Sequence, residues 1–326
     1  MNKPFAALKE GALIGVIAPA GPAQPEHLVQ VAPLLSRYGF RSLLYPGCTQ
    51  NIGYLAGHDT QRLADLHAAF ENPDVQAILC LRGGYGSARL LDGINTALLQ
   101  RHAKLLVGYS DITALHALLN RAGITSLHAP MPASDLVRDG HDADTQALFK
   151  LLREGLSAGS TMQPALDPEG MRIEGIAEGH LIGGNLSLVA SLIGTPWACP
   201  VENAILFLED INEEPYRVDR LLNQLRLAGV LSAARGFLLG SFSEEASPRA
   251  VLDEYLRPLH KPVLGGWPAG HGVPNRPLPL GARVSMDSAR GTLTLLEDVV
   301  LPPPTKTVLG RPSPGSSSPT NASAPR

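Results

Sequence analysis

Up to His128 the chain alternates short apolar runs with amphipathic stretches, and a turn signal stands at nearly every junction. Leu13–Ala18, Arg41–Tyr45, Val75–Leu81, Leu105–Tyr109 and Ile124–His128 read as strands. Pro25–Tyr38, Asp59–Phe70, Ser87–Gln100 and Ile112–Arg121 read as helices, with Gly39 and Gly123 closing two of them. Strands alternating with helices of roughly 10–15 residues make βαβ units, so the expected architecture is α/β with a doubly wound, mostly parallel sheet. Ligands of such sheets gather outside the carboxyl ends of the strands. Three loops follow those ends and converge on one cleft: Ala18-Pro19-Ala20-Gly21, Arg82-Gly83-Gly84-Tyr85-Gly86 and Gly108-Tyr109-Ser110-Asp111.

Beyond this region the pattern changes. Residues 1–154 are expected to form the first domain, and a polar, Gly- and Pro-containing stretch, 155–170, reads as a linker. Residues 171–301 mix short strands (Ile173–Ala177, Ala204–Leu208, Phe237–Ser241, Thr292–Leu296) with helices near Leu186–Ile193 and Arg217–Leu227. That order predicts a second, β-rich α+β domain, small and barrel-like. Residues 302–326 are rich in Pro, Ser and Thr without apolar periodicity and read as a disordered tail.

With 326 residues, 44% of them hydrophobic and 17% charged, the chain is long enough for a substantial core. A net charge of −3 gives no electrostatic case for binding nucleic acid or an anionic membrane. Cys48, Cys80 and Cys199 are scattered and odd in number, which argues against a disulfide framework and a structural zinc site. No apolar run approaches the roughly 20 residues that span a bilayer. Leu13–Ala20 resembles a short signal-peptide core, but Lys9 and Glu10 immediately before it favour a buried first strand and a cytoplasmic location.

The segment Leu105–Thr113 carries the chemistry. A buried strand runs into Gly108-Tyr109-Ser110-Asp111 and directly into a helix. A serine on so sharp a strand-to-helix turn projects its hydroxyl into the cleft, and the N–H of Asp111 is left to face an oxyanion. Gly108 stands where such a turn tolerates little side chain. A Ser or Asp here also suits an ordinary helix N-cap, and the local sequence does not separate the two. The Arg82–Gly86 loop fits neither GxxxxGK[ST] nor GxGxxG, so its adjacent glycines are better read as backbone donors to a substrate than as a phosphate loop.

A nucleophilic serine needs a base. His116 lies six residues along the helix and points away, while His128 ends a neighbouring strand and stays possible. His271, in Ala269-Gly270-His271-Gly272-Val273-Pro274-Asn275, is the better candidate because its flanking glycines expose the imidazole. The base needs an orienting carboxylate. Ala204–Asp210 is an apolar strand ending in two acids, from which Glu209 can reach a loop histidine while Asp210 points to the opposite face. A cap for the helix starting near Pro215 is the competing use, and Glu213 can supply that instead. Arg82, Tyr85 and Glu213 are candidates for substrate contact from position alone. Cys80, inside a strand, reads as inert packing.

Four motifs in order, Arg-Gly-Gly-Tyr-Gly, Gly-Tyr-Ser-Asp-Ile-Thr, Phe-Leu-Glu-Asp-Ile-Asn-Glu and Gly-His-Gly, resemble the serine LD-carboxypeptidase family, over about residues 10–300. That family includes muramoyltetrapeptide carboxypeptidases and microcin C self-immunity proteins. The resemblance implies a flavodoxin-like N-terminal domain, a β-rich C-terminal domain, a homodimer, and no metal or organic cofactor. It implies Ser110 as nucleophile, His271 as general base, Glu209 as its orienting acid, and the N–H groups of Gly84 and Asp111 as the oxyanion hole. The expected activity is removal of the terminal D-alanine from a murein tetrapeptide in cell-wall recycling. Two alternatives stand beside it: an immunity-type peptidase or amidase acting on a peptidyl or aminoacyl nucleotide, and a non-enzymatic α/β ligand-binding module.

Overall fold

The computed structural model describes residues 3–242 and 247–303. Its first sheet has six strands, ordered Leu278–Leu280, Ser126–His128, Leu105–Gly108, Val75–Cys80, Leu13–Ile17 and Arg41–Leu44. The five from the N-terminal half are all parallel, as the alternating pattern requires. Ile14, Val16 and Ile17 are fully buried, because helices cover both faces of a parallel sheet. The sixth strand is an addition from the C-terminal half and runs antiparallel to Ser126–His128. Pro279 within it supplies no ladder donor, which an edge strand tolerates.

One expected helix is divided, and another is preceded by a tighter turn. Ser87–Gln100 is a 3₁₀ segment, Ser87–Gly93, followed by a short α-helix, Thr96–Arg101, whose first turn is capped by the Asn95 side chain accepting from Leu98 N. The segment after Ser110 begins as a 3₁₀ turn, Ser110–Ile112, before the α-helix Thr113–Arg121. Helices outside the expectation include Asp142–Glu154, Arg249–Leu256 and a π-helical turn, Pro132–Leu136.

The second sheet has eight strands in the order Thr161–Met162, Thr292–Leu295, Arg283–Asp287, Ile176–Asn185, Ala204–Glu209, Gly236–Leu239, Val263–Leu264 and Arg172–Ile173. Its centre, from Ile176–Asn185 to Val263–Leu264, is parallel, and the connections run through helices Leu186–Ser191, Pro215–Leu227 and Arg249–Leu256. The stretch 155–170 is built into this sheet's margin. Thr161–Met162 pairs with Thr292–Leu295, and Leu156 N bonds Val300 O. Of the expected tail, only Pro302 and Pro303 fall within the described residues. Among the described residues no helix is long and apolar enough to cross a membrane.

The two sheets share their cores. One buried cluster joins Ile112, Leu115 and Leu118 to Leu186, Leu206 and Phe237. At the seam, Gly184 has φ +137° and lies against Thr113, whose Oγ1 accepts from Asn185 N at 3.0 Å. A Cβ on Gly184 would lie 2.5 Å from that oxygen, so glycine is needed for the strand Ile176–Asn185 to dock on the helix beginning at Thr113.

Candidate active site

Ser110 sits at φ +63°, the left-handed region that a non-glycine residue enters at a cost of roughly 1–3 kcal/mol. The surroundings hold it there. A Cβ on Gly108 would lie 3.0–3.1 Å from Ile112 and Cys80, so the turn closes only with glycine at that position. Gly83 packs against Ser110, where a Cβ would come 2.8 Å from Ser110 Cβ. Asp111 is buried, its Oδ2 accepts from Ser87 N at 2.7 Å, and its carbonyl accepts from the Ser87 hydroxyl. This side chain therefore pins the turn. The N–H groups of Gly84 and Asp111 donate to no acceptor among the described residues.

Ser110, His271 and Glu209 come together. Ser110 Oγ lies 3.0 Å from His271 Nε2, and His271 Nδ1 donates to Glu209 Oε2 at 2.7 Å. A carboxylate only accepts, so the proton is on Nδ1 and Nε2 is the acceptor for the serine hydroxyl. Glu209 is fully buried at the end of Ala204–Glu209, and His271 N also donates to its Oε2 at 3.2 Å. Burial lowers the basicity of His271, but the hydrogen bond and charge of Glu209, with Asp210 and Asp135 behind, outweigh it. The imidazole is left more basic than an ordinary histidine.

The glycines of the His271 loop serve close approach rather than exposure. Gly270 has φ +115°, and a Cβ there would lie 2.5 Å from Glu209 Oε2. Asn275 Oδ1 accepts from Gly270 N at 3.1 Å and Ser241 Oγ from Gly272 N at 3.0 Å, clamping the loop on both sides of the histidine. Only 15% of the His271 side chain is exposed.

Tyr109 and Asp135 were not read from the sequence. The Tyr109 ring packs edge-on against His271 at 4.9 Å, and its hydroxyl donates to Asp135 Oδ1 at 2.9 Å. Asp135 is buried and also accepts from Met131 N at 2.8 Å; burial pushes its carboxyl pKa up. No local pattern announces this pair, because 26 residues separate its members and a π-helical turn presents the acid.

The other candidates lie elsewhere. Asp210 accepts from Asn185 Nδ2, Ser187 N and Ile211 N at 2.8–2.9 Å, so it organises the start of helix Leu186–Ser191 on the face away from His271. His116 is buried between Ser126 Oγ and Gly108 O, each at 2.8 Å, and burial pulls it down to about 4. His128 is fully buried with both ring nitrogens unpartnered among the described residues. Burial pushes the Cys80 thiol up, as expected of inert packing.

A cavity of about 470 Å³ opens over the serine, lined by Arg82, Gly84, Ser110, Asp135, Arg138 and His271 among others. Neither Tyr85 nor Glu213 is among the residues lining this cavity. Tyr85 is half exposed against Tyr54, and Glu213 pairs with Arg217 at 3.7 Å.

Known proteins resemble the chain over most of its length. Residues 14–129 match the LD-carboxypeptidase N-terminal domain and residues 178–286 the LD-carboxypeptidase C-terminal domain. A probable murein peptide carboxypeptidase of Bacillus subtilis is 38% identical over 298 residues, covering 89% of this chain and 93% of the relative. The crystal structure of a muramoyltetrapeptide carboxypeptidase from Oxalobacter formigenes superposes with TM-score 0.78 at 33% identity, over 89% of this chain and 100% of that one. Microcin C7 self-immunity protein MccF, TM-score 0.83 at 23% identity over 92% of this chain and 100% of that one, shares the fold. The chain belongs to the LD-carboxypeptidase family and is an enzyme of the serine carboxypeptidase class.

Proposed function

We propose that this enzyme hydrolyses the bond between an L-configured centre and the terminal D-alanine of murein tetrapeptides, in cytoplasmic peptidoglycan recycling and as a homodimer. The observation that carries the reading is the unbroken chain from Ser110 Oγ through His271 to Glu209, set on a left-handed strand-to-helix turn. His271 Nε2 takes the hydroxyl proton as Ser110 attacks the scissile carbonyl. Glu209 fixes the tautomer and stabilises the imidazolium. The N–H groups of Gly84 and Asp111 receive the developing oxyanion, each contributing a factor of about 10²–10³ in rate. The imidazolium returns its proton to the leaving D-alanine nitrogen, and a water activated by the same base releases the acyl-enzyme.

A peptidyl-nucleotide substrate is less well served. Among the described cavity-lining residues the one tyrosine, Tyr109, is buried and already engaged with His271 and Asp135, which leaves only the imidazoles of His27 and His141 to stack on a base. The test is release of D-alanine from purified tetrapeptide by wild type and Ser110→Ala. The variant is expected to lose at least about 10³-fold in kcat. Near-wild-type release would remove the serine from the mechanism.

A further inference from the structure

The cavity over Ser110 has an unbalanced charge. Its lining carries two arginines, Arg82 and Arg138, against one acid, Asp135, which is buried and bound to Tyr109 and Met131 N. Among the described residues neither arginine has a carboxylate within ion-pair distance. Arg82 Nη1 donates to Pro22 O at 2.9 Å, and Arg138 Nη1 to Ser134 O at 3.2 Å. The remaining Arg82 donors have no acceptor among the described residues. Two half-buried or cavity-facing guanidiniums without a counter-charge suit an anionic ligand.

Position separates them. Arg82 is half-buried and stands beside the two glycines that touch the reacting centre. A Cβ on Gly83 would lie 2.8 Å from Ser110 Cβ, and one on Gly84 would lie 4.0 Å from Arg82 Nη2. The guanidinium and the nucleophile therefore flank the same dipeptide, whose Gly84 N–H faces the developing oxyanion in the reading above. In a peptide ending at the leaving residue, the free carboxylate stands one Cα beyond the scissile nitrogen, within that short span. Arg138 is exposed at the rim.

Building on the proposed hydrolysis, we infer that Arg82 anchors the free C-terminal carboxylate of the substrate and thereby restricts the enzyme to exopeptidase cleavage, with Arg138 adding attraction from the rim. The bond from Nη1 to Pro22 O holds the fork in place and leaves Nη2 and Nε for the carboxylate.

The experiment compares one tetrapeptide as free acid and as C-terminal amide, with wild type, Arg82→Gln and Arg82→Lys, at low and high salt. Wild type is expected to prefer the acid. In Arg82→Gln the acid-over-amide ratio of kcat/KM falls by roughly 10- to 100-fold, chiefly through KM, the loss expected of a charged hydrogen bond. Arg82→Lys recovers part of the ratio, and the wild-type KM for the acid rises with salt. An unchanged ratio in Arg82→Gln, or equal loss on acid and amide, overturns the assignment, since a residue that merely braced the Pro22 loop would not distinguish them. The two readings fail separately. If Ser110→Ala retains turnover the hydrolytic mechanism falls, whereas a serine-dependent enzyme indifferent to Arg82→Gln loses only the anchor.

Discussion

At the scale of single residues, the site works by charge held against burial. Glu209 is buried with one oxygen, Oε2, taken by the ring and backbone of His271, and the other without a hydrogen-bond partner among the described residues. Its charge is thereby committed to the imidazole. The sign for pH follows. A raised His271 pKa means the proton is held to higher pH, and the base is free only above that value. The acid limb of kcat/KM is therefore expected above the ordinary histidine value of 6.5, with activity lost as pH falls through it. Glu209→Gln removes the charge that raises it. The limb then moves to lower pH and the plateau drops by roughly 10²–10⁴-fold, because the tautomer is no longer enforced. A pH–rate profile of both proteins checks this; a limb that stays in place would mean Glu209 does not govern the imidazole.

At the scale of elements, legibility followed how local each signal was. The Ser110 turn was readable because strand, glycine, serine and helix fall within a dozen or so consecutive residues, although its competing use as a cap could not be dismissed without the φ angle. Glu209 was separable from Asp210 by strand alternation, and the two do point to opposite partners. His271 was harder, since a loop histidine has no periodicity, and its glycines were read as exposing it when they bring it against Glu209. Asp135 was invisible, being delivered by a π-helical turn that no repeat announces, and Arg138 follows two residues after that turn. The strand Leu278–Leu280 was hidden by Pro279, which argues against a central strand and fits only an edge. That strand has mechanical importance. It follows the His271 loop and pairs with Ser126–His128, which pairs with Leu105–Gly108 just before Ser110.

At the scale of the whole molecule, Ser110 and His271 come from opposite halves of the chain and meet across a seam between two sheets. His128 lies in that seam, edge-on to Phe207 at 4.9 Å and 5.6 Å from Tyr109. Burial, followed by the neighbouring His116 and His271, pushes its pKa well below 6.5. Such a depressed base costs nothing above the unfolded value, and its penalty appears as pH falls below 6.5, where the unfolded chain takes up a proton that the native state refuses. That penalty grows as pH falls further below 6.5. His128→Leu, of similar size and without unpartnered nitrogens, is expected to match or exceed wild-type stability at pH 7. Its melting temperature should fall less than that of wild type between pH 7 and pH 5. Identical pH dependence in calorimetry would show that His128 is not held neutral. The fold, by contrast, needs no such help to be recognised, since alternation alone yields the five parallel strands of the first sheet, while the parallel centre of the second was masked by strands of irregular spacing.

The account rests on Ser110 being a hydroxyl activated by an imidazole from the other half of the chain. The most direct measurement is covalent labelling with a serine-directed fluorophosphonate, located by peptide mass spectrometry, in wild type and His271→Ala. The prediction is one adduct on Ser110, formed at least about 10²-fold more slowly in the variant. An adduct at another serine, or labelling of Ser110 at the same rate without His271, would contradict it.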